Sequence, residues 1–207
     1  MKILAIGAHF DDVELGCGGT LFKHSEAGDE IHILVVTHSG YSDDTNHTRS
    51  AEDALQEGKE AAKMIGATLH TLNKETLVLA PSEHLVHNIY EIVAKINPDR
   101  VYCHRPNDYH SDHASVGFAS LRATRRCPEV FCYRSSWYIL DEPQDDNCFI
   151  DISDYVEQKC TLVKIFKSEL EKVNYSWLEF VQAQNHAAGL KIGVKSAETY
   201  RVIKIVQ

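Results

Sequence analysis

Gly7-Ala8-His9-Phe10-Asp11-Asp12-Val13-Glu14-Leu15-Gly16-Cys17-Gly18-Gly19-Thr20 follows directly on the apolar run Ile3-Leu4-Ala5-Ile6. Consecutive apolar residues of this kind read as a strand buried on both faces, the pattern of a parallel sheet. The glycines behind it suit a tight strand-to-helix turn. Between strand and turn sit one imidazole and two adjacent carboxylates. That is a donor set for a divalent metal, at the place where an α/β sheet normally puts its active site.

Working outward, a strand is expected over 2–8 and a helix over 15–27, stopped by Gly28 in the position a C′ glycine prefers. A second strand covers 30–37, and a polar loop covers 39–48. Ser50 caps a helix over 51–65 with Asp53 in its first turn, and Gly66 ends it. A third strand covers 69–72. Pro81-Ser82-Glu83 opens a helix to about 96, with Leu85, Ile89, Ile92 and Val93 at helical spacing. Asn97-Pro98-Asp99 stops it, and a fourth strand over 100–104 is broken by Pro106.

This alternation is the signature of a Rossmann-like, doubly wound α/β fold: a mainly parallel sheet of order about 3-2-1-4-5 with helices on both faces. The last third is less regular, with strands expected over 131–138, 148–152 and 200–206 and helices over 154–170 and 177–187. No repeat or linker interrupts the chain, so 207 residues read as a single domain over 1–207.

The charge balance of 21 basic against 30 acidic side chains gives −9. A nucleic-acid backbone needs a basic face, so nucleic acid is excluded as a partner. None of the six cysteines forms a C-x-x-C pair, so they read as reduced, small apolar fillers rather than a thiolate zinc site. Met1-Lys2 leads straight into a strand with no secretory signal, and no apolar run approaches the roughly 18 residues of a membrane span. The expected location is cytoplasmic. A homo-oligomer is left open.

The second informative stretch is His104-Arg105-Pro106-Asn107-Asp108-Tyr109-His110-Ser111-Asp112-His113, at the end of the fourth strand. In a 3-2-1-4-5 sheet, strands 1 and 4 are neighbours whose connections leave in opposite directions, so a crevice opens between their C-terminal ends. Two loops far apart in sequence meet there. His9, Asp12 and His113 then supply two imidazoles and a carboxylate, the three-ligand arrangement of catalytic zinc. Asp11 is the carboxylate left to take a proton from water. His110 can face the reacting carbonyl as a cation or proton donor, with Asp112 accepting its ring proton. Of the 12 histidines, His24, His32, His38, His47, His70, His84 and His87 read as surface or strand residues.

At these residues the chain resembles the LmbE-like, or PIG-L, family of zinc-dependent de-N-acetylases. The family pattern is A-H-P-D-D-E before a glycine-rich turn, with a later H-x-D-H. Ala8-His9-Phe10-Asp11-Asp12-Val13 and His110-Ser111-Asp112-His113 carry the likeness, which spans nearly the whole chain. Arg49-Ser50-Ala51-Glu52, Ile192-Gly193-Val194 and Ala197-Glu198 also fit. The resemblance implies one Zn2+ per chain, or another divalent metal, at His9, Asp12 and His113. It further implies Asp11 as general base, His110 as electrostatic or acid partner, and Arg49 near the substrate. Phe10 replaces the usual proline and Val13 the usual glutamate; neither change removes a ligand or the base.

The expected reaction is hydrolysis of the amide of an N-acetylated amino sugar or its conjugate, to acetate and a free amine. That substrate class rests on family analogy. The loops at 39–48 and 106–109 form the expected pocket rim, with Asn107, Asp108 and Tyr109 available for hydroxyls, and His186 is a further candidate from the C-terminal part. A competing reading is a metal-dependent phosphoesterase using the Asp-Asp pair, which would need two metals where only three convincing ligands are found. A nucleotide-binding module is disfavoured, because Gly16-Cys17-Gly18-Gly19 is neither G-x-G-x-x-G nor a P-loop and Asp11-Asp12 repels phosphate. A catalytically silent sugar-binding relative would lack a base or a ligand, and none is missing.

Overall fold

The computed structural model describes residues 1–42, 48–136 and 145–206. Residues 43–47 of the loop expected over 39–48, His47 among them, and residues 137–138 of the strand expected over 131–138 lie outside the described residues. In chain order the elements are β1 Lys2–Gly7, α1 Asp12–Glu26, β2 Glu30–Thr37, β3 Tyr41–Ser42, β4 Thr48–Arg49, α2 Ala51–Ile65, β5 Thr68–Lys74 and α3 Glu83–Ile96. They continue as β6 Arg100–His104, α4 Ser111–Ala123, β7 Glu129–Tyr133, β8 Cys148–Asp151, α5 Val156–Val163, α6 Lys167–Lys172, α7 Ser176–Ile192 and β9 Ala197–Ile205. No helix among the described residues is long and apolar enough to cross a membrane.

Seven strands form one sheet in the order β5-β2-β1-β6-β7-β9-β8. The first five are parallel and reproduce the expected 3-2-1-4-5 order; β9 then pairs antiparallel with both β7 and β8. β1 lies at the centre, with alternate residues feeding two cores. Ile3 and Ala5 face α1, α2 and α5, whereas Leu4 and Ile6 face α3 and α4. Burial on both faces explains why β1 shows no polar alternation.

Three elements differ from the sequence expectation. α1 starts at Asp12 rather than residue 15, so the second motif carboxylate already sits in a first helical turn. The helix expected over 154–170 is split, because Phe166 leaves helical geometry (φ −79, ψ 61) to bury its ring completely. α4 was not anticipated. Its small and polar residues draw no apolar stripe, yet most of them are buried. It packs so closely that a Cβ at Gly117 would lie 2.6 Å from the Arg105 carbonyl oxygen.

α1 is broken at Cys17 (φ −142, ψ 16). The backbone N–H groups exposed by the break, on Gly19 and Thr20, donate to the Glu198 carboxylate at 2.9 and 2.8 Å. Lys159 from α5 completes an ion pair with Glu198, and both side chains are 1% exposed. Glu198 from β9 thus anchors the helix that carries the metal-site carboxylate. Removing one partner of a buried pair leaves an uncompensated charge, at a cost of about 3–5 kcal/mol. Glu198→Gln is therefore expected to lose about that much stability in urea unfolding, with Lys159→Met recovering much of it in the double variant. A loss below about 1 kcal/mol for the single variant would contradict this role.

Candidate metal centre

The centre lies in the crevice between β1 and β6, whose following helices α1 and α4 pack on opposite faces of the sheet. The β1–α1 connection brings His9, Asp11 and Asp12. The end of β6 and the start of α4 bring His104, Asp108, His110, Asp112 and His113. Arg49 comes from β4, and Ser135 and Ser136 follow β7. A cavity of about 310 Å³ opens onto His9, Asp11, Asp12, His110 and His113, with Arg49, Leu77 and Trp177 also in its wall.

His9, Asp12 and His113 converge as expected. His9 Nδ1 is 3.2 Å from His113 Nε2 and 3.4 Å from Asp12 Oδ2, and His113 Nε2 is 3.1 Å from Asp12 Oδ1. Around a zinc ion with bonds of about 2.0–2.1 Å, tetrahedral donors stand about 3.3–3.4 Å apart. The two ring nitrogens stand about one such edge apart and Asp12 turns a different oxygen to each, so the three residues could hold a single small divalent cation between them. Among the described residues, His113 belongs to two sets of three donors within 4.8 Å of one another, His9 with His110 and Asp12 with His104. Asp11 belongs to neither set.

The far nitrogens of both candidate ligand imidazoles lie beside carboxylates, that of His9 in a hydrogen bond and that of His113 in an ion-pair contact without hydrogen-bond geometry. His9 Nε2 is 3.0 Å from Asp112 Oδ2, and His113 Nδ1 is 3.4 Å from Asp108 Oδ2. Such flanking carboxylates fix the orientation of a ligating ring. This corrects two expectations. Asp112 does not accept a proton from His110; it accepts from His9 and from the backbone N–H of Leu77 and Leu79, at 2.7 and 3.0 Å. Asp108 does not stand ready for substrate hydroxyls; it accepts from Ser136 Oγ and the His110 N–H, both at 2.8 Å.

His110 caps α4, and its Nδ1 accepts the Asp112 N–H at 3.3 Å. With Nδ1 accepting, the proton of a neutral His110 ring sits on Nε2. Arg49 reaches the cavity wall, with Nη1 on Asp11 and the Phe10 carbonyl and Nη2 on Glu57, while its buried Nε has no hydrogen-bond partner among the described residues. Asn107 is exposed and stands outside the cavity wall. His186 is exposed too, with Nδ1 on the Lys195 carbonyl. His104 was missed, although its place at the very end of a strand marks it. Fully buried, it sits 3.1 Å from Asp12 Oδ2 and stacks on His113 at 4.3 Å.

Comparison with known proteins now carries weight. The model of the PIG-L family, described as GlcNAc-PI de-N-acetylase, matches residues 4–124. The chain belongs to the PIG-L family. It is 33% identical over 144 residues to a protein of Escherichia coli K12 named uncharacterized deacetylase YaiS, covering 65% of this chain and 75% of that one. It is 25% identical over 224 residues to the diacetylchitobiose deacetylase of Thermococcus kodakarensis, covering 98% of this chain and 83% of that one. The N,N'-diacetylchitobiose deacetylase structure from Pyrococcus horikoshii superposes with a TM-score of 0.84 at 23% identity, covering 98% and 83% of the two chains.

Within the PIG-L family pattern, Phe10 takes a proline position. Its backbone N–H donates to Ser39 Oγ at 2.9 Å, a bond proline cannot make. Its ring fills a notch at Gly58, where a Cβ would come within 2.2 Å of it. Phe10 is thus accommodated by the notch in α2.

Electrostatically, the adjacent motif carboxylates are driven apart. Burial pushes Asp11 well above the ordinary carboxylate range against the pull of Arg49. Burial also opposes charge on Asp12, yet His113 and His104 hold it well below that range. A pair separated this way divides the tasks of base and ligand. Burial disfavours charge on His9 and His113 too. The Asp112 and Asp12 contacts outweigh it at His9, which rises to about 9, and Asp12 with Asp108 raises His113 to about 10. Burial and the neighbouring imidazoles depress His110 to about 4.

Raised histidines contribute stability that is complete below their ordinary value of 6.5 and is lost as pH rises through 9–10. Chelator-treated protein is therefore expected to lose thermal stability steadily from about pH 7 to pH 10. A melting temperature that stays flat or climbs over that range would contradict the charged imidazole–carboxylate array.

Proposed function

We propose that this chain hydrolyses the amide of an N-acetylated amino sugar or its conjugate, using one divalent cation, with zinc as the best match. The observation that carries this is the donor triangle of His9, Asp12 and His113 beside Asp11, a carboxylate outside both donor sets, at one cavity. Two imidazoles and one carboxylate are a set that zinc takes in hydrolases. Membership of the PIG-L family and the names of the relatives supply the substrate class. The two donor sets overlap at His113, which supports reading them as one centre in preference to the cation pair a phosphoesterase would use.

His9, Asp12 and His113 hold the cation, with Asp112 and Asp108 orienting the two rings. When bound, the cation supplies Lewis acidity to the amide carbonyl and to an attacking water. Asp11 removes the proton from that water, and burial has already raised its affinity for it. His110, neutral, donates its Nε2–H to the oxygen of the tetrahedral adduct. Its other ring nitrogen is engaged by the Asp112 N–H, so it keeps a single proton on the useful side. Asp11, now protonated, returns the proton to the departing amine.

Asp11 has φ 129, so the replacement must keep its shape; asparagine is isosteric and removes only the ionisable oxygen, which makes Asp11→Asn the test of its chemistry. Asp11→Asn is expected to keep about one metal per chain and to lose about 10²–10⁴-fold in deacetylation of N-acetylglucosamine conjugates. His113→Ala is expected to lose both metal and activity. Full activity in Asp11→Asn, or full metal occupancy in His113→Ala, would overturn the assignment.

A further inference from the structure

Arginine at a substrate pocket ordinarily reads as a ligand for the substrate. The arrangement around Arg49 is different. Its side chain is 1% exposed. Nη1 donates to the Phe10 carbonyl at 3.1 Å and to Asp11 Oδ2 at 3.2 Å, with Glu169 Oε1 at 3.5 Å. Nη2 donates to Glu57 Oε2 at 3.0 Å. Both carboxylates behind it are anchored in turn. Glu57 accepts the Ser168 N–H at 2.9 Å and Oγ–H at 2.7 Å, and Glu169 accepts the Tyr41 hydroxyl at 2.8 Å.

We infer that Arg49 is a positioning residue for Asp11, braced from α2 and α6 by Glu57 and Glu169, and not a substrate ligand. This rests on Asp11 being the base of the proposed reaction. The geometry explains why a brace is needed. Asp11 sits at φ 129, ψ −28, a backbone conformation that L side chains rarely adopt. Arg49 grips the carbonyl just before this residue and the carboxylate of the residue itself, so one rigid guanidinium spans the strained unit. Lysine has no fork, so its ammonium cannot hold the Phe10 carbonyl and Asp11 on one side and Glu57 on the other at once. Glu57 lies outside the cavity wall and touches Arg49 directly, so a kinetic effect of its removal is not a lost substrate contact.

The test pairs Arg49→Lys with Glu57→Ala, measured with the metal-loaded enzyme on an N-acetylglucosamine conjugate. Positioning predicts a kcat loss of about 10²-fold in Arg49→Lys, since a misplacement near 1 Å costs about that much. KM stays within about twofold and metal content is unchanged. In Glu57→Ala the same split appears with a kcat loss of about tenfold, which keeps the inference testable should Arg49→Lys fail to fold. A KM rise with kcat retained in Arg49→Lys would make Arg49 a substrate ligand. Unchanged constants in both variants would make it a bystander. A crystal structure of whichever variant folds, Arg49→Lys or Glu57→Ala, decides independently of activity. The Asp11 carboxylate is expected to swing from its present direction, and an unmoved Asp11 would overturn the inference. If the wild-type enzyme cleaves no N-acetyl conjugate, the functional reading falls, while the crystal structure still decides the brace.

Discussion

One buried carboxylate ties the centre together. Asp12 accepts the backbone N–H of His9 at 2.7 Å and the Ser135 hydroxyl at 2.8 Å, and it faces His104 and His113 at 3.1 Å each. Those partners come from the ends of β1, β6 and β7 and from α4. Burying a charge is costly unless it is paired and hydrogen-bonded. Three parallel strands and a helix are therefore held in one register by the need to satisfy a single anion. The crevice of a doubly wound sheet supplies the place, and Asp12 supplies the reason its loops close there.

The surrounding charges form concentric pairs. Asp112 backs His9 and Asp108 backs His113, while Glu57 and Glu169 back Arg49, which faces Asp11. His9, His113 and Arg49 each have a carboxylate behind them on the side away from the cavity. Asp112 also receives the backbone of Leu77 and Leu79, so the rim after β5 is pinned to the same carboxylate that orients His9. Rigidity of this kind is what a hydrolytic site needs, because reacting groups must be held in place before the substrate arrives.

Much of this was legible in the residues alone. Runs buried on both faces, separated by capped helices, specify a parallel sheet and its order. The spacing of His9, Asp12 and His113 against that order specifies their meeting point. What escaped is what depends on packing. α4 has no apolar stripe because it is buried among polar site residues and pressed onto the Arg105 carbonyl at Gly117. The helix over 154–170 looked continuous because nothing local announces that Phe166 turns inward. Asp112 was paired with His110 by nearness in sequence and Asp108 was left for substrate hydroxyls, whereas the folded helix start sets them beside His9 and His113. Arg49 looked available because three carboxylates from separate elements cannot be gathered around it by pattern alone.

The central claim is that His9, Asp12 and His113 share one cation. Anomalous diffraction at the zinc edge from zinc-loaded crystals tests it most directly. The account predicts a single strong peak per chain within about 2.0–2.2 Å of His9 Nδ1, an Asp12 carboxylate oxygen and His113 Nε2. A peak centred on other side chains, or two peaks of equal height in the cavity, would contradict it.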